Sequence, residues 1–177
     1  LIFLEEVLNE AAQRSRAKIE ENQQRGWTEA GIDTETVAEA VGLSAIIFND
    51  LKQNRIHDIT FDWDRMLNFD GDSGPYLQYA YSRTCGILRK GASDTMPACD
   101  VSVFAAASEQ DRALLVSLAG MSGAVERSVQ ENAPHHLCQY LLELATAFSR
   151  WYTSHQVLGS GEWESPRLAV VHAVRQV

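Results

Sequence analysis

The residues with the most chemical potential in this 177-residue chain lie between Phe61 and Gly91, where carboxylates, a glycine-flanked serine and three tyrosines follow one another. Gly71-Asp72-Ser73-Gly74-Pro75 has the outline of a nucleophile loop. Such a serine needs a histidine base, an aspartate that orients the base, and backbone donors around the oxyanion. The context removes that reading. Trypsin-like proteases carry Gly-Asp-Ser-Gly-Gly-Pro on β-barrels, whereas here the second glycine of the pair is absent and the flanks are helical by pattern. The only upstream histidine, His57, has no Ala-His-Cys setting. Ser73 followed by Pro75 is instead a good N-cap and first-turn pair for a helix. Asn68, Asp70 and Asp72 alternate like the start of a calcium loop, but Ser73 stands at the sixth position in place of Gly and Tyr79 at the twelfth in place of Glu, which excludes an EF-hand. Asp62, Asp64, Asp70 and Asp72 could supply a glycosidase acid/base pair only inside a pocket, and a local acidic cluster reads as a solvated face.

Two further groups of polar residues have spacings that matter. His135 and Cys138 lie at i, i+3 with His136 adjacent, which could offer two metal ligands from one helical turn. No second ligand pair follows, so Cys138 reads as a core thiol and no metal site is expected. Gly159 and Gly161 make neither a GxGxxG nor a P-loop, so no nucleotide cradle is present. Tyr76, Tyr79 and Tyr81 beside Arg83, and Trp151-Tyr152 before His155 and Gln156, are aromatic sets with polar tips. Most such rings pack in cores. An exposed one can stack on an unpaired base, worth ~1–3 kcal/mol. Tyr152 and Gln156, one turn apart, are the residues on which that reading is placed.

The elements that must position these groups are helical. Leu4, Val7, Leu8, Ala11, Ala12 and Ile19 recur at helical spacing over residues 4 to 24, with Gly26 as a stop. A second helix is predicted from Thr36, whose spacing to Glu39 fits a capping box, with Val37, Val41, Ala45 and Phe48 on one side through about Leu51. Residues 56 to 63 alternate imperfectly and could form a short extended piece before Asp64 to Leu67 turn helical. A helix from Ser73 to Lys90 ends at Gly91. Residues 91 to 107 read as a linker of low order. Helices are predicted at about 109–119, 122–132, 134–155 and 166–177, with Leu137, Leu141, Leu144, Phe148 and Trp151 as the stripe of the longest one. The class is all-α, without repeats or heptads.

Composition narrows the partners. The formal net charge of −9 opposes broad nucleic-acid binding through phosphate neutralisation. It is unevenly spread: residues 134 to 177 carry three acids, three arginines and four of the five histidines, so a polyanion meets this part more easily. Cys85, Cys99 and Cys138 form no Cys-x-x-Cys pair, which suits reduced thiols in the cytosol. No apolar run approaches membrane length. The opening residues have no initiating Met, basic n-region or cleavage site, so a fragment is expected and not a signal peptide.

Read end to end, the chain resembles the C-terminal part of class I arginyl-tRNA synthetases. The resemblance rests on Val41-Gly42, Ala45, Phe48, Leu51, Arg55, Asp58, Phe61, Trp63, Met66-Leu67, Gly71-Asp72-Ser73 and the run Tyr76-Leu77-Gln78-Tyr79-Ala80-Tyr81-Ser82-Arg83. Downstream, His136 to Tyr152 and Arg167-Leu168 to Arg175 resemble helices of the family's DALR-type anticodon-binding domain. The resemblance implies an all-α helical bundle of that type over residues 75–177, truncated at its C-terminus, preceded over 1–74 by the helical, stem-contacting tail of the catalytic domain. It implies an arginine–tRNA ligase, using ATP with Mg, in cytoplasmic protein biosynthesis. The partners implied are tRNA(Arg), with arginine and ATP bound through a catalytic domain that precedes this segment; the protein is expected to be monomeric and away from membranes. The HIGH and KMSKS-like signatures are not in this chain, so the resemblance implies no catalytic residue, no cofactor and no arginyl-AMP formation by the fragment alone. Tyr152 matches a family position implicated in anticodon contact. Gln156 stands where some members place an aromatic, and Arg83, Arg89 and Lys90 are the expected phosphate contacts. The alternative reading is a helical interaction module without an RNA or catalytic role.

Overall fold

A computed structural model describes residues 3–24 and 33–177; the expected stop at Gly26 lies outside them. Eight α-helices and two short 3-10 turns account for the secondary structure of the described residues, and no strand occurs among them. The chain divides into two compact units between Gln78 and Tyr79.

The first unit is built on a pair of packed helices, α1 (Leu4–Gln24) and α2 (Thr34–Leu51). Their contact is made mostly of small side chains: Ala11, Ser15, Ala38, Val41 and Ala45 are buried beside the larger Ile19, while Leu4 and Val37, expected on the inner faces, are exposed. Gly42 explains the preference. A Cβ there would come within 2.7 Å of the backbone of Ala11 and Ala12, so the two helix backbones touch where no side chain fits. The cap of α2 also differs from expectation. Asp33, not Thr36, is the N-cap, and its carboxylate accepts from the Thr36 N–H at 3.2 Å and the Thr36 hydroxyl at 2.6 Å. Both residues can cap, and Asp33 wins because one carboxylate satisfies two donors. These bonds hold the Asp33 carboxyl below its ordinary value.

Residues 56 to 62 form no strand and lead into a single turn, α3 (Trp63–Met66), capped by Asp62. The loop that follows is set by local hydrogen bonds. Asn68 Oδ1 accepts from the Asp70 N–H at 2.8 Å, Asp72 turns back at φ 53°, and Lys52 Nζ donates to the Asp72 carbonyl at 2.5 Å. Ser73 then caps α4 (Gly74–Lys90): its hydroxyl accepts from the Tyr76 N–H at 3.1 Å and donates to the Asn68 carbonyl. With 2% of its surface exposed, this hydroxyl is used entirely in structure. Gly74 lets α4 start against α2, since a Cβ would lie 2.6 Å from the Ser44 carbonyl oxygen.

The second unit comprises the remainder of α4 with α5 (Glu109–Ala119), α6 (Met121–Gln130), α7 (His135–Ser154) and α8 (Glu164–Gln176). Ile87, Leu88, Leu114, Leu144, Phe148, Trp151, Val157, Leu168, Val170 and Val171 make one continuous core. Because α7 packs against both α5 and α6, its buried face is wider than one stripe. Cys138, Leu142 and Ala145 are buried with Leu144, Phe148 and Trp151, whereas the expected Leu137 and Leu141 are only half-buried.

The expected low-order linker is instead pinned. Ser93 hydrogen-bonds the buried His172 at 3.0 Å, and Ser165 donates to the Ala98 carbonyl at 3.0 Å. Residues Val101–Ala106 form a 3-10 turn capped by Asp100. Arg112 holds the Ala107 carbonyl at 3.2 Å, and Phe104 meets Trp163 edge-on. Small residues made this stretch look loose, yet Ser93, Ala98 and Phe104 are tied to His172, Ser165 and Trp163, all distant in sequence.

Candidate nucleic-acid interface

A groove of about 700 Å³ runs between α4 and the C-terminal end of α7 with the turn that follows it. From α4 it is lined by Arg83, Gly86, Ile87 and Lys90, which share one face at helical spacing. From the other side come Tyr152, Thr153 and residues 155 to 158. Gly86 keeps the α4 wall low, since a Cβ there would meet nothing within 4 Å.

Tyr152 is exposed, and its ring lies across from Arg83. The Arg83 guanidinium carbon sits 5.1 Å from the Tyr152 centroid and 4.6 Å from the Tyr79 centroid, and Arg83 donates a hydrogen bond to the Tyr79 hydroxyl. One cation is thus shared by two π-faces, each contact worth about 0.5–1 kcal/mol at an exposed site. An arginine held in this way offers a planar charge beside exposed aromatic surface, the combination that suits phosphate and unstacked bases.

The turn after α7 is tightly held. Gln156 presents its side chain to the groove and donates from Nε2 to the Leu158 carbonyl at 2.8 Å, while its own carbonyl accepts from Arg167 Nη1 at 2.8 Å. Gly159, at φ 75°, donates its N–H to Glu164 Oε2 at 2.6 Å. The glycine turn therefore faces a carboxylate of its own chain, which disfavours a phosphate there.

Behind the groove lies a polar cluster that the sequence did not single out. Asp111, 5% exposed on α5, accepts from the Trp151 indole N–H at 2.7 Å. It also closes a capping box with Ser108, accepting from its N–H at 2.9 Å and its hydroxyl at 2.7 Å. His155 lies 3.1 Å from the Ser108 hydroxyl and 3.6 Å from Asp111 through Nε2. Its Nδ1 is 3.0 Å from the Trp151 carbonyl, and its ring stacks on Trp151. A carbonyl only accepts, so Nδ1 carries a proton in that contact. Burial pushes the Asp111 carboxyl up, but the Trp151 and Ser108 hydrogen bonds, with His155 nearby, outweigh it and hold the carboxyl below its ordinary value of 3.8. Two signals could have revealed this cluster: Ser108-x-x-Asp111 ahead of an apolar run, and a buried tryptophan in need of an acceptor.

Of the five residues expected to contact nucleic acid, Arg83, Lys90, Tyr152 and Gln156 come together around this groove. Arg89 does not line it, because one residue along a helix turns the side chain by about 100°. Around His135 and Cys138, whose spacing alone could offer two metal ligands, no group of three His, Cys, Asp or Glu side chains converges among the described residues. His136 instead meets Glu131 at 2.7 Å. No helix among the described residues is long and apolar enough to cross a membrane.

The geometry has close counterparts among known proteins. Over 99% of this chain, the fold superposes on Thermus thermophilus arginyl-tRNA synthetase with a TM-score of 0.87 and 34% identity, covering 29% of that chain. The arginyl-tRNA synthetase from Plasmodium falciparum gives 0.83 with 26% identity, covering 31% of that chain. In sequence, arginine–tRNA ligase of Clostridium perfringens is 35% identical over 100% of this chain and 31% of its own length. The Thermococcus kodakarensis enzyme of the same name is 37% identical over 98% of this chain and 28% of its length. The chain therefore spans about 30% of the curated relatives it matches. Residues 1–63 match the catalytic domain of class I (R) tRNA synthetases. With residues 77–177, more than half of its length, matching the DALR anticodon binding domain, the chain belongs to that family and is a relative of the arginyl-tRNA synthetases.

Proposed function

We propose that this chain is the tRNA-binding piece of an arginine–tRNA ligase, and that the groove between α4 and the end of α7 receives the anticodon loop of tRNA(Arg). The observation that carries the reading is the gathering of Tyr152, Gln156, Arg83 and Lys90, drawn from two distant parts of the sequence, around one groove. In this reading Tyr152 stacks on an unpaired base, Gln156 supplies hydrogen-bonding groups to its edge, and Arg83 and Lys90 neutralise phosphates. Arg89 lies outside the groove and serves the flanking backbone. The charge of −9 is compatible with this, because recognition depends on a restricted surface and on loop shape. Arginine and ATP with Mg are substrates of the whole ligase. No chemical step is assigned to the residues of this chain. The whole protein acts in the cytosol as a single chain.

The test is a titration of the 177-residue chain with tRNA(Arg) and with an unrelated tRNA. Preferential binding of tRNA(Arg) is expected, with Tyr152→Ala weakening it about tenfold, as the loss of one base–aromatic stack implies. Arginylation by the parent ligase should fall in the same variant mainly through weaker tRNA binding, and unchanged kinetics toward tRNA would remove Tyr152 from the site. A second reading, a helical protein-interaction module, is favoured by Val116 and Val129, 72% and 70% exposed. Equal or absent binding of the two tRNAs would select it.

A further inference from the structure

Tyr152 and Gln156 belong to the last turn of α7 and the segment just after it, where a helix ordinarily frays. Here that end is fastened from behind. Trp151, immediately before Tyr152, is 1% exposed and donates its indole N–H to Asp111. His155, immediately before Gln156, lies against both Ser108 and Asp111. The Ser108 hydroxyl has one proton to give, to Asp111 at 2.7 Å or to His155 at 3.1 Å, so carboxylate, hydroxyl and imidazole are joined through a single bridge. Of the three, His155 alone lines the groove; Asp111 and Ser108 do not. Their effect on a ligand must pass through the residues they hold.

We infer that Asp111 is a positioning residue for the groove: through Trp151 and the Ser108–His155 bridge it fixes the register at which Tyr152 and Gln156 are presented. This rests on the RNA-binding reading of the groove, but the positioning itself is measurable without RNA. The carboxylate of one helix is buried against the end of another, where apolar packing alone would satisfy the core but leave rotation of the final turn free. A charge-assisted bond to the indole removes that freedom.

The experiment compares the full chain with Asp111→Asn, Ser108→Ala, Ser108→Thr and His155→Gln by far-UV circular dichroism, by NMR of the Trp151, Tyr152 and Gln156 signals, and by titration with tRNA(Arg). In Asp111→Asn and Ser108→Ala, helix content should be kept while the Tyr152 and Gln156 signals shift or broaden. Affinity for tRNA(Arg) should drop about tenfold, the scale of one lost charge-assisted hydrogen bond behind a site. Ser108→Thr, which keeps the hydroxyl, should restore both. If Asp111→Asn fails to fold, the Ser108 and His155 variants decide alone. Tyr152 and Gln156 signals that stay in place while the Trp151 indole signal moves would overturn the inference. If those signals move but the unaltered chain binds no tRNA, the positioning stands and the RNA-binding reading falls.

Discussion

The two units hold their helices together by opposite means. Around Gly42 the first unit lets two backbones touch, and the buried residues there are alanines, a serine and a valine. The second unit buries Trp151, Phe148, Leu114 and Val171, and places a satisfied carboxylate among them. Close contact of small residues gains dispersion along the backbone but buries little apolar area per residue. Large side chains bury more, and an aromatic with a polar tip can also be fixed in direction. The contrast places the directionally fixed aromatic, Trp151, immediately before Tyr152 on the wall of the groove.

Breaking the large-residue core should have the greatest effect. Trp151→Ala removes a fully buried indole and leaves Asp111 Oδ1 without its donor, so a loss of roughly 3–5 kcal/mol is expected in the unfolding free energy of the second unit. A loss below about 1 kcal/mol would mean that the core does not depend on this side chain. Gly42→Val tests the other mode. With backbone 2.7 Å from the added Cβ, α1 and α2 must separate, which should cost about 1–3 kcal/mol. Loss of helix protection in hydrogen exchange confined to the first unit is expected, and uniform loss across both units would show that the two packing modes are not independent.

The smallest effect sharpens the comparison through pH. Because the Asp111 carboxyl is held below 3.8 in the folded state, its contribution is complete above the unfolded value and is lost as pH falls through the folded one. Thermal melts should therefore show Asp111→Asn converging with the unaltered chain below about pH 4, after differing by roughly 4 °C at neutral pH. A difference that stays constant with pH would show that the charge of Asp111 contributes nothing.

Much of this was legible beforehand, and the exceptions have physical causes. Ser73 and Pro75 announced α4 because capping chemistry is local and few residues can supply it. Tyr152 and Gln156 were expected one helical turn apart, but α7 ends at Ser154 and Gln156 reaches the groove from the segment beyond it, while Arg83 and Lys90, expected from the resemblance, share the groove face of α4. Arg89 falls outside the groove, because cationic character carries no information about helical phase. Asp111 was overlooked since an acidic residue in a first helical turn reads as a surface group unless the tryptophan forty residues later is known to face it. Residues 91 to 107 misled for a similar reason. Their partners His172, Trp163 and Ser165 lie far down the chain, so composition alone suggested slack.

The core of the second unit also sets an order of events during synthesis. Ile87 and Leu88 on α4 belong to the same cluster as Leu168, Val170 and Val171 on α8. The α1–α2 pair can close as soon as both helices have emerged, since its contacts are between neighbours in sequence. The α4 residues must wait for α8. Until α8 leaves the ribosome, the apolar face of α4 stays without its final partner, and chaperone contact and misfolding should concentrate in that interval.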